Sequence, residues 1–386
     1  MRELDIIIAN YEKAKKEDRP IVLATVVHVE GSSYRRAGAR MLVDEMGNMT
    51  GAISGGCLEG DALRKALHAL YQNQNKLITY DTSDEEDAVI GAQLGCNGVI
   101  QVLFEPVSFA DSGNPVEILK EAQCNEISIV GTFFHLDRAQ EQIGTSFWIQ
   151  ADTKVNGQLE PGLESQLIED SQVAFEQGTS LFREYQTEET NVFVFLELFK
   201  PPIKLVLVGA GNDAQVTAQM AELLGWEIVV TDGRPSHAKA DRFVSSCQVI
   251  VSKPQEVLDT VVMDTRTAFV LITHNYNYDL AVLKLLLEQE QLRYVGVLGP
   301  KKKYTRMLDE LGAQGVEISE EQLAKVHAPV GLELGAETPA EIALSILSEI
   351  QAVFTNTEGA FLKEKEGPIH QLKNNEFKKT ILTRST

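Results

Sequence analysis

The chain has 386 residues, and its 35 Lys and Arg against 56 Asp and Glu give a formal net charge of −21. That length suits two or three domains, and 44% hydrophobic with 24% charged residues is a globular composition that excludes wholesale disorder. The acidic balance argues against nucleic-acid and anionic-membrane binding, and no apolar run approaches the ~20 residues of a bilayer span. The charged N-terminus lacks the apolar core of a signal peptide, so a soluble, cytoplasmic, multi-domain α/β protein is expected.

Residues 1–18 read as an amphipathic helix closed by Pro20, and IVLATVVHVE at 21–30 reads as a strand ending in Gly31-Ser32-Ser33. Arg40 to Val43, a Gly47-Asn48 turn and Met49 to Ile53 form a hairpin pattern. After Ser54-Gly55-Gly56-Cys57 a helix is expected over about 58–71, then strands near 76–80 and 99–105 on either side of an acidic stretch and the loop Gly95-Cys96-Asn97-Gly98. Together, 1–107 reads as an N-terminal α/β domain. Residues 108–115 have linker composition, and 116–200 carries strand-like runs at 127–134 and 191–199 without a chemical motif, a connecting α+β subdomain. From 201 to 354 short, continuous apolar strands (205–208, 227–232, 248–252, 268–273 and 294–299) alternate with helices, the pattern of a doubly wound parallel sheet. Thr338-Pro339-Ala340-Glu341 spells the capping box of the last helix. Residues 355–386 read as a polar tail.

The sharpest motif is Leu205-Val206-Leu207-Val208-Gly209-Ala210-Gly211-Asn212-Asp213-Ala214, a GxGxxA sequence between a strand and a helix. In a Rossmann-like unit Gly209 permits the tight turn and Gly211 lets backbone approach a pyrophosphate at the helix N-terminus. Asp232 ends the second strand, where a carboxylate would accept a ribose hydroxyl and favour a 2′-OH over a 2′-phosphate. The pattern equally suits a fold of this kind whose pocket holds something else. Past the fifth strand, Gly299-Pro300-Lys301-Lys302-Lys303 reads either as an anchor for a phosphate or as a solvated helical turn, and His274 past the fourth as an acid/base or a polar loop residue.

Four cysteines, Cys57, Cys96, Cys124 and Cys247, lie far apart with no CxxC pair, which suits neither a disulfide scaffold nor structural zinc. Cys57 and Cys96 nevertheless sit in open glycine loops, the first opening a helix, where a thiol gains nucleophilicity. Two such thiols suit sulfur carriage, soft-metal ligation or contact with a metal–dithiolene ligand, or each is simply a small hydrophobe. Gly55 and Gly56 stand beside the first, and Arg35, Arg36 and Arg40 suit either an anion or nearby acids. No Ser/His/Asp order, Walker loop, HExxH or EF-hand pattern appears.

In order along the chain, Gly38-Ala39-Arg40-Met41, Ser54-Gly55-Gly56-Cys57-Leu58-Glu59, Leu94-Gly95-Cys96-Asn97-Gly98, Gly209-Ala210-Gly211, Thr273-His274, Tyr294 to Gly299 and Gly331 to Pro339 resemble the XdhC/CoxI family, the accessory proteins of xanthine dehydrogenase and related molybdenum hydroxylases. The resemblance implies a cytoplasmic dimer that binds molybdenum cofactor (molybdopterin), holds it while its terminal sulfur is installed with a cysteine desulfurase as partner, and passes it to a xanthine dehydrogenase-type hydroxylase. It implies a chaperone and insertion role rather than metabolic catalysis. On this resemblance the glycine loop with Gly209, Gly211 and Asn212, together with Asp232, His274, Lys301, Lys302, Gly55, Gly56 and Arg40, would contact the cofactor, and Cys57 and Cys96 would face its sulfur and molybdenum. Many members carry histidine where this chain has Asn212. The glycine loop alone suits two other functions, an NAD-dependent oxidoreductase or a nucleotide- or redox-sensing regulatory module.

Overall fold

The computed structural model describes residues 3–31, 33–81, 98–123, 126–137, 139–151, 154–186, 191–366 and 377–381. Cys96, Cys124 and the acidic stretch before Cys96 lie outside these residues. The chain divides into two compact units, Glu3–Pro201 with Lys365–Thr386, and Pro202–Glu364.

The first unit begins with α1 (Glu3–Lys16), followed by β1 (Ile21–Gly31), β2 (Arg40–Asp44), β3 (Met49–Gly51), α2 (Glu59–Gln72), β4 (Lys76–Asp81) and β5 (Gly98–Pro106). These five strands form an antiparallel sheet in the order β3-β2-β1-β5-β4. Strand β1 is buried along its first nine residues, because both of its faces are covered. Val22, Ala24 and Val26 meet the small-residue face of α2 (Ala62, Ala66, Ala69), whereas Ile21 and Leu23 turn toward α1 and the next layer. Covering both faces is what makes the sequence of β1 read as one continuous apolar run.

That next layer holds α3 (Pro115–Ala122), β6 (Ser128–Phe134), β7 (Gly144–Gln150), β8 (Val155–Gly157), α4 (Glu164–Gln177), β9 (Leu181–Gln186) and β10 (Asn191–Phe199). Asn114 and Pro115, expected to belong to a linker, start α3: the Asn114 side chain accepts from the N–H groups of Val116 and Glu117, and Pro115 needs no donor in the first turn. The segments 1–107 and 116–200, read separately from the sequence, fall in one compact unit. Ile7, Tyr11, Leu23 and Leu42 share a core with Val116, Leu119, Val130 and Trp148, so the two segments bury one cluster jointly. The segment expected as a polar tail also contributes structure. Lys378–Ile381 forms a strand parallel to β9 at the edge of the second sheet, and Phe377 packs its ring against His28, Phe182 and Phe193.

The second unit is built from β11 (Lys204–Val208), α5 (Asn212–Leu223), β12 (Glu227–Asp232), β13 (Cys247–Val251), α6 (Val257–Thr260), β14 (Thr267–Leu271), α7 (Tyr276–Leu287), β15 (Tyr294–Val297), α8 (Lys301–Ala313), α9 (Glu320–Ala324), β16 (Val326–His327) and α10 (Pro339–Thr355). All six strands are parallel, in the order β13-β12-β11-β14-β15-β16. One face packs on α5 and α10 through Ala214, Ala218, Ile346 and Ile350, the other on α7 and α8 through Leu283, Leu286, Met307 and Leu311. This is the doubly wound Rossmann-like sheet expected from the alternating pattern. The capping box of α10 forms as spelled, with Thr338 accepting from the Glu341 N–H and Glu341 from Thr338. Among the described residues no helix is long and apolar enough to cross a membrane.

Candidate functional site

The strand order reverses between β11 and β14, and in open parallel sheets the carboxyl edge at such a reversal is where ligands bind. Two loops meet there. Gly209, at φ +127°, donates its N–H to Thr231 O at 2.7 Å, and a Cβ on it would lie 2.5 Å from the carbonyl carbon and oxygen of Ile272. The first glycine is therefore fixed by the protein's own backbone. Gly211 differs: a Cβ there would find His274 Cδ2 at 3.9 Å as its nearest neighbour, so the space above it is open. Gly211 is also the N-cap of α5, and among the described residues no side chain caps that helix, which leaves first-turn N–H groups directed at the open space.

Asp232 is buried at the end of β12, and its carboxylate is fully engaged. Oδ2 accepts from the Ala210 N–H at 2.8 Å and from Arg234 Nη2 at 2.7 Å, while Oδ1 accepts from the Arg234 backbone N–H at 2.8 Å and its Nε at 2.9 Å. Burial by itself would raise its pKa, but the hydrogen bonds from the Arg234 side chain and from the backbone N–H groups of Ala210 and Arg234 hold it below the usual carboxylate range. Arg242 closes on the same loop from the other side. Its Nη1 donates to Ala210 O at 2.9 Å and His237 O at 2.7 Å, and Nη2 to Asn212 Oδ1 at 3.2 Å. Two guanidiniums thus converge on one glycine-loop residue, Ala210, one through Asp232 and one directly. No motif points to Arg234 or Arg242; the signal for the first is present in Asp232-Gly233-Arg234-Pro235-Ser236, directly after a strand.

His274 has φ +57°, an uncommon conformation for a side-chain-bearing residue. Its exposed ring brings Nε2 to 3.4 Å from Asp213 Oδ2, tying the loop after β14 to the first turn of α5. The lysine run divides. Lys303 is tethered inward, 2.6 Å from the buried Asp279 carboxylate and 2.9 Å from Leu298 O. Lys301 and Lys302 are exposed, and among the described residues their side chains have no ion-pair partner. Cations at a helix N-terminus oppose the helix dipole, so the two lysines do not stabilise α8 through it.

In the first unit, Ser54 Oγ accepts from the N–H groups of Gly56, Cys57 and Leu58 at 3.2, 3.2 and 3.1 Å and donates to Glu59. The loop closes its donors on its own serine. Cys57 precedes the helix N-cap Leu58 by one residue, half-buried, with its thiol free of any disulfide. Gly55 lies against the exposed Tyr34 ring and Gly56 has open space around it. Arg40 is buried and takes the acid-pairing alternative: its guanidinium pairs with Glu197 and donates to Gly38 O at 2.9 Å. Arg35 pairs with Glu3. Among the described residues no group of three His, Cys, Asp or Glu side chains could hold a metal ion.

Known proteins match this architecture in both units. Residues 14–81 match the XdhC and CoxI family and residues 205–350 the XdhC Rossmann domain. A probable xanthine dehydrogenase subunit of Bacillus subtilis (strain 168) is 29% identical over 90% of this chain and 95% of its own. The molybdenum cofactor insertion chaperone PaoD of Escherichia coli (strain K12) is 25% identical over 87% of this chain and 84% of its own. A crystal structure of a xanthine dehydrogenase from Bacillus halodurans superposes with a TM-score of 0.72 at 28% identity, covering 95% of this chain and 98% of that one. Matched in each unit and similar to these proteins along nearly its whole length, the chain belongs to the XdhC/CoxI family.

Proposed function

We propose that this chain is a cytoplasmic accessory protein that binds molybdenum cofactor, holds it during sulfuration and delivers it to a xanthine dehydrogenase-type hydroxylase. The observation that carries this reading is the likeness, through both units, to a protein named as a molybdenum cofactor insertion chaperone. The donor set fits such a cargo. Molybdopterin ends in a phosphate, and the carboxyl edge of the parallel sheet offers uncapped N–H groups at α5, Lys301 and Lys302 on α8, and the guanidiniums of Arg234 and Arg242. Charge-assisted donors of these kinds are the usual partners of phosphate oxygens. The thiols of Cys57 and Cys96 are the groups suited to the sulfur-bearing end, with a cysteine desulfurase supplying sulfur and a homodimer as the working state. The oxidoreductase alternative needs Asp232 to accept a ribose diol, and its acceptor positions are already taken.

The test is to purify the protein anaerobically from a molybdenum-replete host, oxidise the released ligand for pterin fluorescence, and count molybdenum per chain. About one pterin per chain, transferable to an apo-hydroxylase and lost from transfer when both Cys57 and Cys96 are changed to Ala, is the expected result. No pterin even after loading, with NAD bound instead in calorimetry, would contradict it.

A further inference from the structure

The end of β12 is the place where the amino-acid pattern and the folded geometry point to different ligands. An acidic residue there ordinarily accepts the ribose hydroxyls of a dinucleotide. An ionised carboxylate has about four acceptor positions, and in Asp232 four donors occupy them, three of them from Arg234. A ribose hydroxyl arriving as a donor would have to displace one of these bonds. The groups facing outward have the opposite character. The Arg234 side chain is 46% exposed, and its Nη1 has no partner among the described residues. Ser236 follows on the same loop with an exposed hydroxyl 3.0 Å from His237 Nδ1. Arg242, bonded to the His237 and Ala210 carbonyls, adds a second cation behind them. Counting Asp232 with the two arginines leaves one net positive charge, on a chain whose total is −21.

We infer that the end of β12 is a phosphomonoester site, in which Arg234 and Ser236, backed by Arg242, receive the terminal phosphate of a ligand whose remainder lies along the glycine loop. A guanidinium held flat by a carboxylate on one edge presents its other edge to a phosphate, and a neighbouring hydroxyl supplies a further donor. The phosphate has two sources of the same chemistry: the 2′-phosphate of a phosphorylated dinucleotide, or the side-chain phosphate of a pterin cargo, in which case the inference rests on the proposed function.

Calorimetry with NADP⁺ and NAD⁺, which differ only in the 2′-phosphate, separates the sources. With the nucleotide as source, NADP⁺ binds at least tenfold tighter than NAD⁺, and Arg234→Ala reduces the difference to less than twofold. With the pterin as source, neither dinucleotide binds, and pterin retained per chain falls at least fivefold in Arg234→Ala, its fold verified by circular dichroism. Should that variant not fold, Arg234→Lys keeps the charge and loses the fork, with the same two readings expected in weaker form; the comparison of dinucleotides on the unaltered protein needs no variant. Equal affinity for the dinucleotides, a preference for NAD⁺, or an unchanged pterin load when neither binds would overturn the assignment.

Discussion

Two glycine loops precede helices in this chain, and they treat their backbone donors in opposite ways. In the first unit Ser54 Oγ accepts from the N–H groups of three successive residues and donates its own O–H to Glu59. In the second unit Gly211 heads α5 with no side-chain cap. The cations of the two units differ in the same sense: Arg40 in the first is buried against Glu197, whereas in the second Arg234 and Arg242 border the open loop and Lys301 and Lys302 follow β15, all with exposed or half-exposed side chains. A loop that satisfies itself offers only its side chain, here the Cys57 thiol. A loop left unsatisfied offers positive potential, the setting that favours an anion.

The sharpest contrast within the open loop is between its two glycines. Gly209→Ala places a methyl 2.5 Å from the Ile272 backbone at a φ of +127°, and is expected to cost more than about 4 kcal/mol, or to prevent folding of the second unit. Gly211→Ala, at a spot with no neighbour closer than 3.9 Å, should change stability by less than about 0.5 kcal/mol. Thermal unfolding of the two variants reads this directly, and similar losses in both would break the distinction.

Replacing Arg40 tests the closed side of the comparison. Arg40→Ala leaves Glu197 facing the interior without its partner, and breaking such a buried pair costs about 3–5 kcal/mol. A loss below about 1 kcal/mol in urea unfolding would return Arg40 to the candidate anion ligands.

A smaller effect comes from Glu105 on β5, which accepts from the Thr145 N–H at 2.7 Å and its hydroxyl at 3.1 Å. Burial pushes its pKa up to about 7 from 4.5, against the hydrogen bonds of Thr145 and the charge of Arg40. The folded state keeps a proton that the unfolded chain releases near 4.5, so this contribution to stability is full below that pH and is lost as the pH rises to about 7. Unfolding free energy should fall by about 3 kcal/mol across that window, and Glu105→Gln should flatten the dependence; a wild type whose stability is level there would contradict it.

A smaller stability change carries the opposite sign. Changing Lys301 and Lys302 together to Ala removes two like charges from the first turn of α8 and should stabilise by about 0.5 kcal/mol at low salt. The same variant should retain less pterin. A loss of stability would show that the lysines serve the fold.

The parallel sheet was legible because its apolar strands and the glycine loop are local signals, and the capping box of α10 formed at the residues that spell it. The union of 1–107 with the following segment was not, because it depends on side chains far apart in sequence, such as Tyr11 with Leu119 and Trp148. Nor was the strand at 378–381, which is polar in composition and joins its sheet through backbone pairing with β9 and the anchoring of Phe377. Among the candidate residues, the sequence pointed to the glycine loop, His274 and the lysine run because each follows a strand, which is a local signal. The availability of charge was not legible: Arg40, open between an anion and nearby acids, pairs with Glu197, and Asp232 is engaged by Arg234. Such pairings are decided by packing, which no spacing rule encodes.

The most direct test of the central claim, that the cargo lies along the open loop, is pterin and molybdenum retained per chain by Gly211→Val set against Ser54→Ala. The first fills the space above the loop at a backbone conformation that valine adopts without strain (φ −70°, ψ −179°), and the second disturbs only the closed loop of the first unit. The account predicts that Gly211→Val, folded as the parent, loses most of its pterin while Ser54→Ala keeps it. Full retention by Gly211→Val would place the cargo elsewhere and contradict the account.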